Sequence, residues 1–282
     1  MSSSVPRRTL LGAGLAGAAA FAADTPAAAS AQAVQNAQAV QNAQAVENAQ
    51  AVQNDRAVQN TEPAASADLS FPGTAIALAA RRLVTDAQEP YLRNHSLRSF
   101  LFARAAAGQK GRRPGRDYDV EVMFLICALH DMGLTARTDT GQRFELDGAD
   151  FAAQFLEKHG ITDRRVDTVW DGIALHTSYG LHESPVFIRR RPPEITIAQD
   201  GIGIDVGGGP DTLPAGYADR VHAIYPRYGG ARAMTDAIIA QGLADPRKAP
   251  PTTLPGEMLH QRHPELPYTT WDDILDAGGW GD

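Results

Sequence analysis

A histidine and an aspartate stand side by side at the end of an apolar run. Val120 to Thr135 reads VEVMFLICALHDMGLT, and His130-Asp131 closes its helical part. Neutral imidazole and carboxylate are ligands for zinc, iron, manganese or nickel; the aspartate supplies charge and the histidine a borderline-soft nitrogen donor. Adjacent helical residues point about 100° apart. Both reach one ion only if it sits beside the last turn, where Met132 and Gly133 let the chain bend away. Taken alone, the pair is better explained as a helix-terminal histidine interacting with the helix dipole beside a solvated aspartate.

Three more positions change that reading. His95 lies upstream in NHSLRSFLF, His176 lies downstream in IALHTS, and Asp205 follows in DGIGIDVGGG. An aspartate between Ile204 and Val206 at the end of an apolar helix is costly unless paired or coordinated. Several His and Asp side chains embedded in apolar helices are hard to explain one at a time as core residues. The expectation is that they converge on one metal ion.

The elements that position them read as helices. Pro72 to Asp86 is a first helix, and Pro90 opens a second that carries His95 and runs to Gly108. Asp119 to Asp131 is the central helix, and Thr138 to Leu146 a polar loop. Asp147 reads as the N-cap of a helix ended by Gly160, and Thr162 as the cap of the next, DRRVDTVWDGIALHTS. A loop with Arg189-Arg190-Arg191 leads into EITIAQDGIGIDVGGG. Later helices are expected at residues 215–225, 231–242 and 270–276. No convincing alternating strand appears, so the fold class is all-α, a compact helical bundle. Trp170, Phe151 and Phe155 fall at core spacing; His159, His222, His260 and His263 read as surface residues.

Composition narrows the function. The chain has 282 residues, 43% of them hydrophobic, with a net charge of −7. That is ample for a core, and the absence of basic excess argues against nucleic-acid binding. The single cysteine, Cys127, reads as a buried hydrophobe, so no intramolecular disulfide forms. Residues 1–29 read as an export signal: Arg7-Arg8 precedes a weakly apolar Ala/Gly run, the twin-arginine pattern, too short and too weakly apolar for a comfortable membrane span. This predicts export by the twin-arginine route to a secreted, periplasmic or cell-wall location, with no stable membrane insertion after cleavage. Residues 30–70 form a low-complexity linker built on AQAVQN-type hexapeptides; a period of six keeps no apolar stripe on one face. Residues 71–282 form the folded domain. Homo-oligomerisation stays open.

The order H…HD…D resembles the HD-domain superfamily of metal-dependent hydrolases. NHSLRSFLFA, ALHDMGLT, FELDGADFAAQFLEKHG, VWDGIALHTSYG and PPEITIAQDGIGIDVGGG together resemble its cyanamide hydratase-like branch, over residues 72–210. The resemblance implies an all-α HD bundle with His95, His130, Asp131 and Asp205 as metal ligands, Asp200 being the competitor for the fourth place. It implies one divalent ion, zinc favoured, with iron or manganese as alternatives. Water activated by that ion would add to a small-molecule substrate such as cyanamide, giving urea. His176 and Thr177 are the candidates for handling charge and protons at the reacting nitrogen, although His176, with His182, could instead hold a second ion. Asn94 and Arg98 are candidate substrate contacts; Arg98 could also pair with Asp131 or cover the rim. The alternative functions are a phosphohydrolase of a nucleotide or phosphate ester, and a metal- or ligand-binding module without turnover.

Overall fold

The computed structural model describes residues 67–138 and 140–281. The signal segment, the hexapeptide repeat and the linker as far as residue 66 lie outside the described residues. Among the described residues there is no β-strand, and the eleven α-helices pack as the expected all-α bundle. None of these helices is long and apolar enough to cross a membrane.

The centre is the helix α3 (Val120–Leu129). It is apolar all round, which dictates burial on every side, and each residue from Val122 to Leu129 is buried. Asp119 caps it by accepting hydrogen bonds from the Glu121 and Val122 amides. Around it lie α1 (Ala75–Ala87), α2 (Pro90–Gln109), α5 (Arg165–Ala174) and α7 (Pro193–Gly203). The outer helices α4 (Phe144–Lys158), α6 (Pro185–Arg190) and α8 (Tyr217–Ile224) complete the bundle. Phe71, Phe100 and Phe124 seal one end of the core, with ring centroids 5.2–5.7 Å apart. Trp170, Phe151 and Phe155 pack against the core but stay partly exposed.

Two glycines set close approaches. A Cβ on Gly201 in α7 would stand 2.2 Å from the Ser99 carbonyl oxygen in α2, so only glycine lets these helices cross at this distance. A Cβ on Gly133 would stand 1.8 Å from the Phe144 carbonyl oxygen, which holds the turn after His130-Asp131 against the start of α4. The bend expected at Gly133 is therefore a matter of space, at ordinary backbone angles.

Several boundaries differ from the sequence expectation. α4 starts at Phe144, so Asp147 lies inside the helix and is not its cap. Asp147 is buried and pairs with Lys248, whose ammonium stands 2.6 Å away. The apolar Phe144 and the buried partner for Asp147 favour a longer helix than an aspartate read as an N-cap allows. Thr162 is not a cap either: α5 begins at Arg165, and Asp163 accepts from its amide. The arginine run ends the short helix α6 rather than a loop, and all three arginines are exposed.

The C-terminal part holds α9 (Gly230–Ala244), α10 (Leu254–Arg262), which the sequence did not flag, and α11 (Trp271–Gly278). Thr270 and Asp273 cap α11 reciprocally. Gln241 in α9 donates to the Gly133 carbonyl at 2.9 Å, tying this C-terminal unit to the turn that follows Asp131.

Candidate metal centre

His95, on α2, and His130, at the end of α3, bring their Nε2 atoms to 3.1 Å from each other. Asp131 Oδ2 lies 3.2 Å from His130 Nε2 and 3.6 Å from His95 Nε2. The pair of neighbours can face one point because the helix stops between them. His130 keeps helical angles, whereas Asp131, at φ −101° and ψ 15°, has left the helix and begins the short turn Met132–Leu134.

The polarity of these three atoms decides what fits between them. His130 donates its Nδ1 hydrogen to the Cys127 carbonyl at 2.8 Å, and His95 donates its Nδ1 hydrogen to Asp205 Oδ2 at 2.7 Å. Each ring therefore turns an Nε2 lone pair to the centre. Asp131 Oδ2 is buried and has no hydrogen-bond partner. Three buried acceptors facing one another repel unless a cation lies among them. His95, His130 and Asp131 are also the group among the described residues whose donor atoms lie close enough to hold a metal ion. The donor set fits a borderline divalent ion.

Electrostatics carry the same signature. Burial acts to lower the affinity of His130 for a proton, but the Asp131 carboxylate outweighs it and the imidazole's pKa is raised. Burial acts to raise Asp131, but the three surrounding histidines, His130 first, hold it well below the usual carboxylate range. The site attracts positive charge whether as a proton or as a metal ion.

Asp205 takes a post different from the one expected. It lies in the wider helical turn Ile204–Gly208 that continues α7. Its carboxylate faces the far ring nitrogen of His95 and is held by Arg98, with Nε to Oδ1 and Nη2 to Oδ2 both at 2.7 Å. Arg227 adds a contact at 3.1 Å to Oδ1 and one at 2.8 Å to the Asp205 carbonyl. Burial raises the acid's pKa, but Arg98 and His95 bring it well below its usual range. The structure thus brings together three of the four expected ligands and sets the fourth behind His95, where it fixes the ring. Asp200, its competitor, pairs with Lys110 away from the centre.

His176 belongs with the cluster. It follows α5 by two residues, donates Nδ1 to the Ile173 carbonyl at 2.6 Å, and brings Nε2 to 3.8 Å from Asp131 Oδ1. Burial, then the neighbouring His130, lower its pKa to about 4, so it is neutral at pH 7. Thr177 donates Oγ1 to Glu145 Oε1 at 2.7 Å. Both line a cavity of about 170 Å³ whose floor is His95, His130 and Asp131.

Asn94 and Arg98 do not line that cavity, which corrects the expectation that they touch substrate. Asn94 is buried and donates to the Pro226 carbonyl at 2.9 Å. Arg98 is fully buried, its guanidinium shared between Asp205 and the carbonyls of Tyr225 and Pro226. Asn94 and Arg98, i and i+4 on one face of α2, both donate to the Pro226 carbonyl in the chain that follows α8. His182 lines the cavity but is not among the ligand group.

Some residues of the site escaped sequence reading. Glu145 is completely buried, holds Thr177 with one oxygen, and leaves the other without a partner. An acidic residue between Phe144 and Leu146 was its only signal. Gln199 lines the cavity and bonds the Leu175 carbonyl, fixing the turn that carries His176. The outer wall comes from Met234 and Ile238 on α9 and Leu254 and Met258 on α10. Each pair has i, i+4 spacing, the mark of one helix face.

Compared with known families, residues 92–205 match the HD domain. No curated protein matches the chain. The match starts three residues before His95 and ends on Asp205, so it contains the whole centre and leaves out the helices of the outer wall. Residues 92–205 are thus similar to an HD domain, and within them His95, His130 and Asp131 are placed so that they could hold a metal ion.

Proposed function

We propose that the protein is a metal-dependent hydratase that adds water to a small neutral substrate with an electrophilic sp carbon, cyanamide being the model. The observation that carries this reading is the floor of the cavity: two Nε2 lone pairs and an unpartnered carboxylate oxygen converge there, and no Lys or Arg among the described residues lines the space above. A polyphosphate has nothing cationic on the protein to meet it. When bound, a divalent ion lowers the pKa of its water and supplies a hydroxide nucleophile near neutral pH. Zinc is the favoured ion, with iron or manganese as alternatives.

The residues of the chain divide the remaining work. His95 and His130 hold their lone pairs in place through fixed Nδ1 hydrogen bonds. His176, neutral and with Nε2 towards Asp131, accepts a hydrogen bond from water in the cavity and carries a proton to the substrate nitrogen. Thr177, whose hydroxyl hydrogen is committed to Glu145, offers its lone pairs to an N–H of the substrate. Overall, the two O–H bonds of the water and both π bonds of the C≡N group break, a C=O double bond and two N–H bonds form, and both hydrogens of the water end on nitrogen.

The export reading rests on Arg7-Arg8 and the apolar run after it, and is proposed on that pattern alone. For the activity, the purified full chain is loaded with zinc, iron or manganese and assayed with cyanamide and with a panel of phosphate esters. Urea formation is expected with at least one metal. Phosphate release without urea would replace this reading with a phosphohydrolase, and no turnover with a tightly held metal would leave a binding module.

A further inference from the structure

The walls of the cavity differ in chemistry from its floor. Met234 and Ile238 on α9 and Leu254 and Met258 on α10 meet Ile202 across the space above His130 and Asp131. These α9 and α10 residues lie beyond the residues that match the HD domain, so the C-terminal helices add an apolar roof to the metal site. The cavity volume, about 170 Å³, is of the order of the ~150 Å³ apolar cavity that accepts benzene in another protein. A cavity lined this way gains from an apolar occupant and has no charged group on its roof to satisfy an ionic one.

One polar group in the wall is unsatisfied. Gln199 donates Nε2 to the Leu175 carbonyl at 3.1 Å, which fixes the orientation of the amide. Its Oε1 is then an acceptor, buried and without a partner. A substrate N–H is the complement of that oxygen.

We infer that the substrate is a neutral molecule with a small N–H-bearing head at the metal floor and an apolar body, about the size of a phenyl ring, against α9 and α10. For the reaction proposed above, on which the head chemistry rests, this is a monosubstituted cyanamide. R–NH–C≡N plus H₂O gives R–NH–C(=O)–NH₂, with the new C–O bond on the nitrile carbon and both water hydrogens on the terminal nitrogen. The roof alone calls for the apolar body.

The test separates the two. Binding of the full chain to urea, butylurea, phenylurea and 4-carboxyphenylurea is measured by calorimetry, and hydration of cyanamide and phenylcyanamide is assayed in parallel. Phenylurea and butylurea are expected to bind tighter than urea, by about three- to four-fold per buried methylene equivalent. The carboxylate derivative should lose most of that gain. Leu254→Asp and, on the other helix, Met234→Asp should each reduce the phenylurea-to-urea ratio at least ten-fold. Leu254 is the first residue of its helix, where an acidic side chain suits the helix end, so this variant is expected to fold even where the other does not. Equal affinities for urea and phenylurea, or tightest binding of the carboxylate, overturn the inference. Hydration of cyanamide without any phenylurea preference sinks the apolar body and leaves the hydratase reading standing. A strong phenylurea preference without any hydration does the reverse.

Discussion

Arg98 and Asp205 face each other as two parallel hydrogen bonds of 2.7 Å, completely buried, directly behind the ring of His95. A guanidinium fork on a carboxylate fixes orientation as well as charge. Asp205 Oδ2 passes that orientation to His95 Nδ1 at 2.7 Å. The pair therefore sets where the His95 lone pair points, and the backbone carbonyls of Tyr225 and Pro226 lock Arg98 from the C-terminal side.

Loss of this support should weaken metal binding without removing the ligand atoms. Asp205→Ala is expected to lower metal affinity by about 10- to 100-fold, measured by competition with a chelator. Complete loss of binding at saturating metal would instead make Asp205 a direct ligand. Arg98→Lys keeps the charge but not the fork, and a smaller loss in the same direction is expected.

The buried pair of Asp147 and Lys248 ties α4 to the segment between α9 and α10. Lys248→Ala leaves a buried carboxylate without its cation. It should destabilise the fold by about 3–5 kcal/mol in urea unfolding, whereas breaking the exposed Arg247 to Asp245 pair should have a far smaller effect. Equal effects at the two sites would contradict the burial argument.

Gly201→Ala places a methyl group on the Ser99 carbonyl at the crossing of α2 and α7. Overpacking of this kind costs roughly 1–3 kcal/mol. Because α2 carries His95 and α7 leads into Asp205, metal affinity should fall along with the melting temperature. The same change at Gly203, a helical position where no atom stands within 4 Å, serves as the control and should lower neither.

In the metal-free protein, acid should act through His176. Its pKa is about 4 in the fold against an ordinary 6.5. Between those values the unfolded chain takes up a proton that the folded one refuses. This contribution to stability is full above pH 6.5 and is lost as pH falls towards 4, by up to about 3 kcal/mol. His130, raised, works in the opposite sense: its contribution is full below 6.5 and fades as pH rises through its folded value. The difference between the wild type and His176→Gln, followed by urea unfolding from pH 7.5 to 4.5, isolates the first effect. The variant should lose less stability over that range; parallel curves would contradict the assignment.

The helices, the central position of α3 and the trio of His95, His130 and Asp131 were legible because each breaks a local pattern. A polar ligand type inside an apolar run is a conflict that only a site resolves. Asp205 reads as an aspartate that must be paired or coordinated and is expected among the ligands, and Arg98 reads as a candidate substrate contact, because the chain after α8 that holds Arg98 against Asp205 lies far along the sequence. Asn94 misled for the same reason: its backbone partner, Pro226, lies far along the chain. Asp147 read as a cap because local rules reward an aspartate before a helical run, and the lysine that buries it comes from beyond α9. The roof residues carry ordinary helix periodicity, which marks a face but not what the face covers.

The most direct test of the account is the metal content of the purified full chain. About one divalent ion per chain is expected in the wild type, with Asp131→Asn and His130→Ala each reducing occupancy at least ten-fold while the helical content is retained. A wild-type chain that binds no zinc, iron or manganese, or variants that keep full occupancy, would contradict the assignment of His95, His130 and Asp131 as the metal centre.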